Sequence, residues 1–254
     1  MRRTPRAEDT KAAFDHDGYA VVRDFLSPDR TAQLAADMDS YISGVLPSLA
    51  PNAAFYEDKG RPETLFRLDG INRHDPDLAD RWLRWDPILD LARRLLNDDV
   101  APHAMSMFGK APRVGNQTPP HQDGYYFMLE PNEAITVWLP LDRTDQGNGC
   151  IRYVPGSHAR GLRPHGKSEV FGFSQGLLDF SEEDRQREVA ITADPGDLIA
   201  HHSLTIHRAD PNLSDRRRWA VGLVYYAARA RVNAEAQRAY HERLLKEYET
   251  AGKT

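Results

Sequence analysis

Cysteine is nearly absent. Cys150 is the single one among 254 residues, so no internal disulfide can form and stability must come from a packed core. Long apolar runs are absent too: no segment approaches the roughly 18 to 20 apolar residues of a membrane span. The start, Met1-Arg-Arg-Thr-Pro-Arg followed by Ala-Glu-Asp-Thr-Lys, lacks the apolar stretch of a secretory leader. Nor are basic residues in excess. A formal net charge of −5 implies no general attraction to nucleic acid or to an anionic membrane. No internal repeat and no low-complexity tract interrupts the chain. These absences favour a reducing, cytoplasmic setting and a small-molecule partner, and they say nothing of oligomeric state.

What is present suffices for a sizeable core: 40% hydrophobic and 9% aromatic residues. One domain accounts for the length. Its expected parts are a helical N-terminal part over about 1–99, a strand-rich core over about 100–228 and a C-terminal helix over about 233–248. Residues 1–10 read as a frayed basic tail, 11–16 as helix and 19–25 as a strand. Ser27-Pro28-Asp29 is a helix start, with an N-cap, a proline at the first helical position and an acid in the first turn. Residues 64–69 read as a short strand carrying Arg67. Residues 75–96 read as helix in two pieces broken around Asp86-Pro87, with apolar residues that form no single clean stripe.

From Val100 the hydrophobic period changes to two. Strands are expected over 104–108, 124–129, 134–141, 150–154, 189–191, 198–202, around His207 and over 219–227. Gln146-Gly-Asn-Gly and Asp194-Pro-Gly-Asp are turns. The connection from Arg160 to Glu188 is of a length at which a loop is usually a lid or disordered.

The organising stretch is His121-Gln122-Asp123, the only HxD in the chain, with His207 far downstream. On a strand, residues i and i+2 share a face, so His121 and Asp123 can aim at one ion while Gln122 turns away. Two imidazoles and one carboxylate, with positions left open, suit non-haem Fe(II) that must also bind a co-substrate and oxygen. Eleven residues past His207 stands Arg218, the kind of cation a bound dicarboxylate needs at its far end. His201 and His202 compete with His207 for the third position. Their alternative is a plain pair of strand histidines, one facing in and one out.

Further motifs stand in order behind the HxD. They are the aromatic pair Tyr125-Tyr126, Trp138 on a strand, and Asn148-Gly-Cys-Ile-Arg-Tyr-Val-Pro-Gly-Ser-His158. After them come Gly196-Asp197, the run ending at His207, and Arg218-Trp-Ala-Val-Gly. From about Lys110 to Ala227, this order resembles the phytanoyl-CoA dioxygenase family of Fe(II)- and 2-oxoglutarate-dependent oxygenases. The resemblance implies a mainly β fold with flanking helices, a double-stranded β-helix (jelly roll, cupin-like). It implies Fe(II) held by His121, Asp123 and His207, with 2-oxoglutarate and O2 as co-substrates. Arg218 would grip the distal carboxylate of 2-oxoglutarate, Trp138 and Ser106 would line its pocket, and Arg67 is a looser basic match upstream. One departure stands out: the family often has Ser two residues after the distal His, where this chain has Ala209. Thr136 is the hydroxyl expected to substitute.

The implied activity is hydroxylation of a small organic substrate coupled to decarboxylation of 2-oxoglutarate to succinate and carbon dioxide. Relatives that halogenate have Gly or Ala where this chain has Asp123. The competing reading is a non-catalytic jelly roll that binds a metal or a small molecule, and the intact triad and Arg218 oppose it. Lys110 is expected either at the surface or against an anionic substrate. Tyr125 and Tyr126, alternating in facing on a strand, would place at most one ring in the site. Which substrate is used is not legible; Arg67, Lys110, Arg163 and Lys167 offer partners for an anion, and the tyrosines an aromatic wall.

Overall fold

Local signals set the first third of the chain. The computed structural model describes residues 7–49, 54–168, 175–240 and 242. Helix α1 (Ala7–Asp17) leads into strand β1 (Tyr19–Val22), which stops before Asp24 at φ 51°. Ser27 caps α2 (Pro28–Ser40), its hydroxyl accepting from Arg30 N at 3.3 Å. Strands β2 (Ala54–Tyr56) and β3 (Leu65–Leu68) precede the short α3 (Ile71–His74). Then come α4 (Pro76–Leu83) and α5 (Asp86–Leu96), broken where the sequence places Asp86-Pro87. In α5 the buried Ile88, Leu91, Ala92 and Leu95 do form one stripe at helical spacing, contrary to the expectation of a ragged surface.

The rest is strand. In order it comprises β4 (Val100–Lys110), β5 (Thr118–His121), the helical turn α6 (Gly124–Phe127), β6 (Leu129–Glu130), β7 (Ala134–Pro140) and β8 (Ile151–Tyr153). Then follow β9 (His165–Lys167), β10 (Gln175–Leu177), α7 (Glu182–Arg187), β11 (Val189–Ile191), β12 (Leu198–His202), β13 (His207–Ala209), β14 (Arg218–Ala227) and β15 (Arg231–Val232). Residues 234–240 are helical. Residue 242 is helical as well, while 241 and 243–248 of the expected C-terminal helix, and residues 1–6 of the basic tail, lie outside the described residues.

Two antiparallel sheets hold the site between them. The larger runs β1-β12-β7-β14-β4-β3-β2, and the smaller β11-β8-β13-β5. Period two divides each central strand of the larger sheet. Met105 and Met107, Ile135, Val137 and Leu139, and Val221, Leu223 and Tyr225 pack with the helices into the main core. The alternate residues face the smaller sheet. Trp138, Ile199 and Ala220 meet Ile151, Tyr153 and Ile191 there in a second apolar cluster. This is the jelly roll expected from the resemblance. The N-terminal part contributes the expected strands β1 and β3 and also β2, and all three join the larger sheet.

The described residues of the long connection carry regular structure. Among its described residues β9 pairs with β10, and Ser181 opens α7 with a capping box to Asp184. Arg163 anchors it through Asp184 at 2.7 Å and Asp179 at 3.0 Å. Residues 169–174 lie outside the described part. No helix among the described residues is long and apolar enough to cross a membrane.

Candidate active site

β5 delivers His121, and the chain then turns helical rather than continuing as a strand. Asp123 sits at φ −56°, ψ −34°, at the head of α6. The expected strand alternation therefore does not set its direction. Gln122 pins the turn: its amide donates to the Gly161 and Leu204 carbonyls, and its Oε1 accepts from Arg163 N. Gly124 permits the tight approach, because a Cβ there would stand 2.4 Å from the Asn132 side chain.

His207 is brought in by strand pairing. β13 lies beside β5 with His207 directly opposite His121. One ligand atom each from His121, Asp123 and His207 lies within 4.8 Å of the others. The His121 and His207 Nε2 atoms stand 3.5 and 3.7 Å from Asp123 Oδ1. Backbone carbonyls fix both rings: His121 Nδ1 donates to Pro119 O at 2.8 Å, and His207 Nδ1 to Thr205 O at 3.0 Å. A carbonyl only accepts, so each Nδ1 carries its proton and each Nε2 lone pair is free for a metal. Burial, then the neighbouring His121 and His201, push the His207 imidazole well below its ordinary value and keep it neutral. Burial opposes charge on Asp123, but its neighbours His207, His121 and His201 overcome it. They hold the carboxyl well below the usual range. Two imidazoles and one carboxylate, gathered on one side of a cavity, fit Fe(II) with positions to spare.

The cavity of about 280 Å³ has Arg218 in its wall as well as the triad. Arg218 is 4% exposed, and its Nε is buried without a hydrogen-bond partner. No carboxylate pairs with it among the described residues, whereas Arg216 and Arg217 are spent on Asp145 and Asp142 at 2.8 and 3.0 Å. Burial lowers its pKa to about 10, which leaves it charged at neutral pH. An unpaired buried guanidinium is costly unless a ligand anion completes it. The far carboxylate of 2-oxoglutarate has the right charge and bidentate shape.

The family model described as phytanoyl-CoA dioxygenase matches residues 14–220. The chain belongs to the phytanoyl-CoA dioxygenase family. It is 27% identical over 220 residues to a probable alpha-ketoglutarate-dependent hypophosphite dioxygenase of Stutzerimonas stutzeri, covering 84% of this chain and 76% of that one. To the human peroxisomal phytanoyl-CoA dioxygenase it is 29% identical over 140 residues. That match spans 51% of this chain and only 40% of the human protein. A solved structure, the non-haem alpha-ketoglutarate-dependent carbocyclase SnoK of nogalamycin biosynthesis, superposes with a TM-score of 0.72 at 25% identity. It covers 95% of this chain and 93% of that one. The reaction class of this family member is iron- and 2-oxoglutarate-dependent oxygenation.

The remaining expected residues divide. Trp138 and Ser106 line the cavity, with the Arg218 guanidinium 5.6 Å from the Trp138 ring. Arg67 lines it too, but it is already paired with Asp69 at 2.8 Å, which separates its role from that of Arg218. Thr136 is in the wall, yet its hydroxyl donates to Asp123 Oδ2 at 2.7 Å and is not left to hold a co-substrate. The hydroxyl facing the Ala209 gap is instead Thr118, opposite Ala209 in the β5–β13 register and also in the wall. Sequence reasoning missed it because only strand pairing reveals it.

Lys110 is neither at the surface nor in the cavity wall. It pairs in register with Arg218, and its Nζ donates to Asn116 O. Burial and the Arg218 charge push its amine well below the ordinary lysine value. On α6 the tyrosines diverge by helical rather than strand geometry. Tyr126 lines the cavity, and Tyr125 stacks on His165 at 4.4 Å. His202 points away, its Nδ1 accepting from Leu204 N. His201 points in, but to Asp123 rather than into the ligand set.

Proposed function

We propose that this enzyme hydroxylates a small organic substrate while converting 2-oxoglutarate and O2 to succinate and carbon dioxide. The observation that carries it is the charged, buried and unpaired Arg218 in the same cavity as the triad. His121, Asp123 and His207 would hold Fe(II), and Arg218 would take the distal carboxylate of 2-oxoglutarate in a bidentate pair. Bound there, Fe(II) supplies oxygen activation and couples decarboxylation to substrate oxidation. The chain's own work is binding, orientation and shielding. Trp138 and Phe108 form an apolar wall beside Arg218 that strengthens the ion pair by keeping water out. The Nδ1–H groups of the two histidines donate to backbone carbonyls, which leaves each Nε2 for the metal.

Elsewhere in the cavity the paired Arg67 and Asp69 stand with His103, Tyr126 and Phe127. That lining suits a small substrate with both polar and apolar groups. With Asp123 in place, the product should gain oxygen and not halide even in excess bromide, and a halogenated product would remove Asp123 from the ligand set. A cytoplasmic, reducing setting suits both Fe(II) and the buried Cys150 thiol. The test is anaerobic addition of Fe(II) and 2-oxoglutarate, which should raise a weak visible charge-transfer band. Air should then release succinate. Metal uptake without band or succinate would favour a binding module instead.

A further inference from the structure

Asp123 is placed by two donors that lie side by side. His201 on β12 is the register partner of Thr136 on β7, so both side chains reach the same face of the larger sheet. Thr136 Oγ1 donates to Asp123 Oδ2 at 2.7 Å, and His201 Nε2 lies 3.1 Å from the same oxygen. The other oxygen, Oδ1, is the one that faces the Nε2 atoms of His121 and His207. The carboxylate is thus divided, with one oxygen held by protein and one offered to the metal.

The His201 ring is itself oriented. It is 2% exposed, and its Nδ1 stands 2.8 Å from the fully buried Tyr153 hydroxyl. An ionised carboxylate only accepts, so Nε2 carries a proton and donates. In the neutral ring Nδ1 then accepts, and the Tyr153 hydroxyl donates to it. Tyr153 is fixed in turn by stacking on Tyr19, with ring centroids 4.5 Å apart and planes 12° apart. It also sits in register opposite His207. The donor series Tyr153 to His201 to Asp123 therefore runs from the second apolar cluster to the ligand set.

We propose that His201 is a positioning residue of the metal centre which, with Thr136, restricts Asp123 to ligation through Oδ1 alone. The inference rests on the reading of the triad as a metal site. Its chemical consequence is a protein that spends one oxygen where a free carboxylate can spend two, leaving that position for co-substrate. Partners of this kind typically change metal affinity by about 10- to 100-fold.

The test uses Co(II) titration of the apo protein and the anaerobic Fe(II)–2-oxoglutarate absorption band. His201→Phe should weaken Co(II) binding by at least about tenfold and shift the band. His201→Gln, which keeps a donor, should restore most of both. Thr136→Val, nearly the same in shape, should shift the band in the same direction. A folded His201→Phe protein with wild-type affinity and band would overturn the inference, as would a Gln variant no better than Phe. If His201→Phe does not fold, Thr136→Val decides, and an unchanged band there also overturns it. Failure of the unaltered protein to bind Co(II) would instead remove the metal reading on which the inference stands.

Discussion

The two ends of the cavity are built on opposite terms. At the metal end both imidazoles are oriented by carbonyls, and Oδ2 of the carboxylate is saturated by two donors. At the other end Arg218 is buried in charged form with Nε unpartnered. The first end has its side chains oriented or satisfied by protein groups. The second is incomplete until an anion enters, and it holds an uncompensated charge meanwhile. On the proposed reading, the protein pre-sets the geometry of the metal and leaves the co-substrate to complete the electrostatics.

The largest expected effect breaks the metal end. His207→Ala or His121→Ala removes one of three ligands, so Co(II) or Fe(II) uptake and turnover should collapse together, by more than about 100-fold. If His207→Ala keeps its activity, the third ligand lies elsewhere.

Breaking the arginine end should look different. Arg218→Ala should leave metal uptake near normal and raise the 2-oxoglutarate requirement on the order of 100-fold, the scale of a lost desolvated charge pair. An unchanged 2-oxoglutarate titration would deny Arg218 its role. The contrast is sharpened by Arg218→Met, which keeps bulk without charge. Removing an unpaired buried cation should make the apo protein more stable by about 1–3 kcal/mol in urea, while 2-oxoglutarate no longer stabilises it.

A third test separates neighbours on β12. His201 belongs to the metal end, but His202 does not. Burial, then the neighbouring His158 and His201, lower the His202 pKa to about 4. Above pH 6.5 neither the folded nor the unfolded form binds this proton. As pH falls from there to about 4 the unfolded chain is protonated first, so stability is lost across that window. At pH 5 the loss amounts to about 2 kcal/mol. Urea unfolding at pH 7 and pH 5 should show that drop, and His202→Gln should lessen it. An equal drop in the variant would assign the pH dependence to other groups.

The smallest effect concerns the gap at Ala209. Ala209→Ser returns a hydroxyl opposite Thr118 and should lower the 2-oxoglutarate requirement a few-fold, about one hydrogen bond's worth. Thr118→Val should raise it by a similar factor. No change in either would mean that Arg218 holds the carboxylate without hydroxyl help.

Residue identities at the site were largely legible in the sequence, and their geometry was less so. His121, Asp123, His207 and Arg218 could be picked out from type and spacing, and all four share one cavity. The direction of Asp123 could not, because the strand gives way to a helical turn at a glycine packed on Asn132. Thr136 was found for the wrong job: its hydroxyl is claimed by a carboxylate thirteen residues earlier in the chain. His201 was weighed as a ligand, whereas its Nε2 lies 3.1 Å from Asp123 Oδ2, a contact that depends on its register with Thr136 and its contact with Tyr153. Lys110 was expected at the surface or against an anionic substrate, whereas β4 pairing buries it beside Arg218 and outside the cavity wall. In the fold, period two identified the central strands. It did not show that β1, β2 and β3 would join them, since that depends on contacts far apart in sequence.

His121 and His207 belong to the smaller sheet, whereas Arg218 belongs to the larger one. Facing sheets keep a spacing of about 10 Å that side-chain packing enforces. The gap between the ion and the guanidinium is therefore a dimension of the whole sandwich, fixed by the Trp138, Ile151, Tyr153 and Ala220 cluster that props the two layers apart. On the proposed binding mode the sandwich acts as a gauge for chain length, and a diacid one carbon shorter or longer than 2-oxoglutarate should bind less well even with every contact residue unchanged.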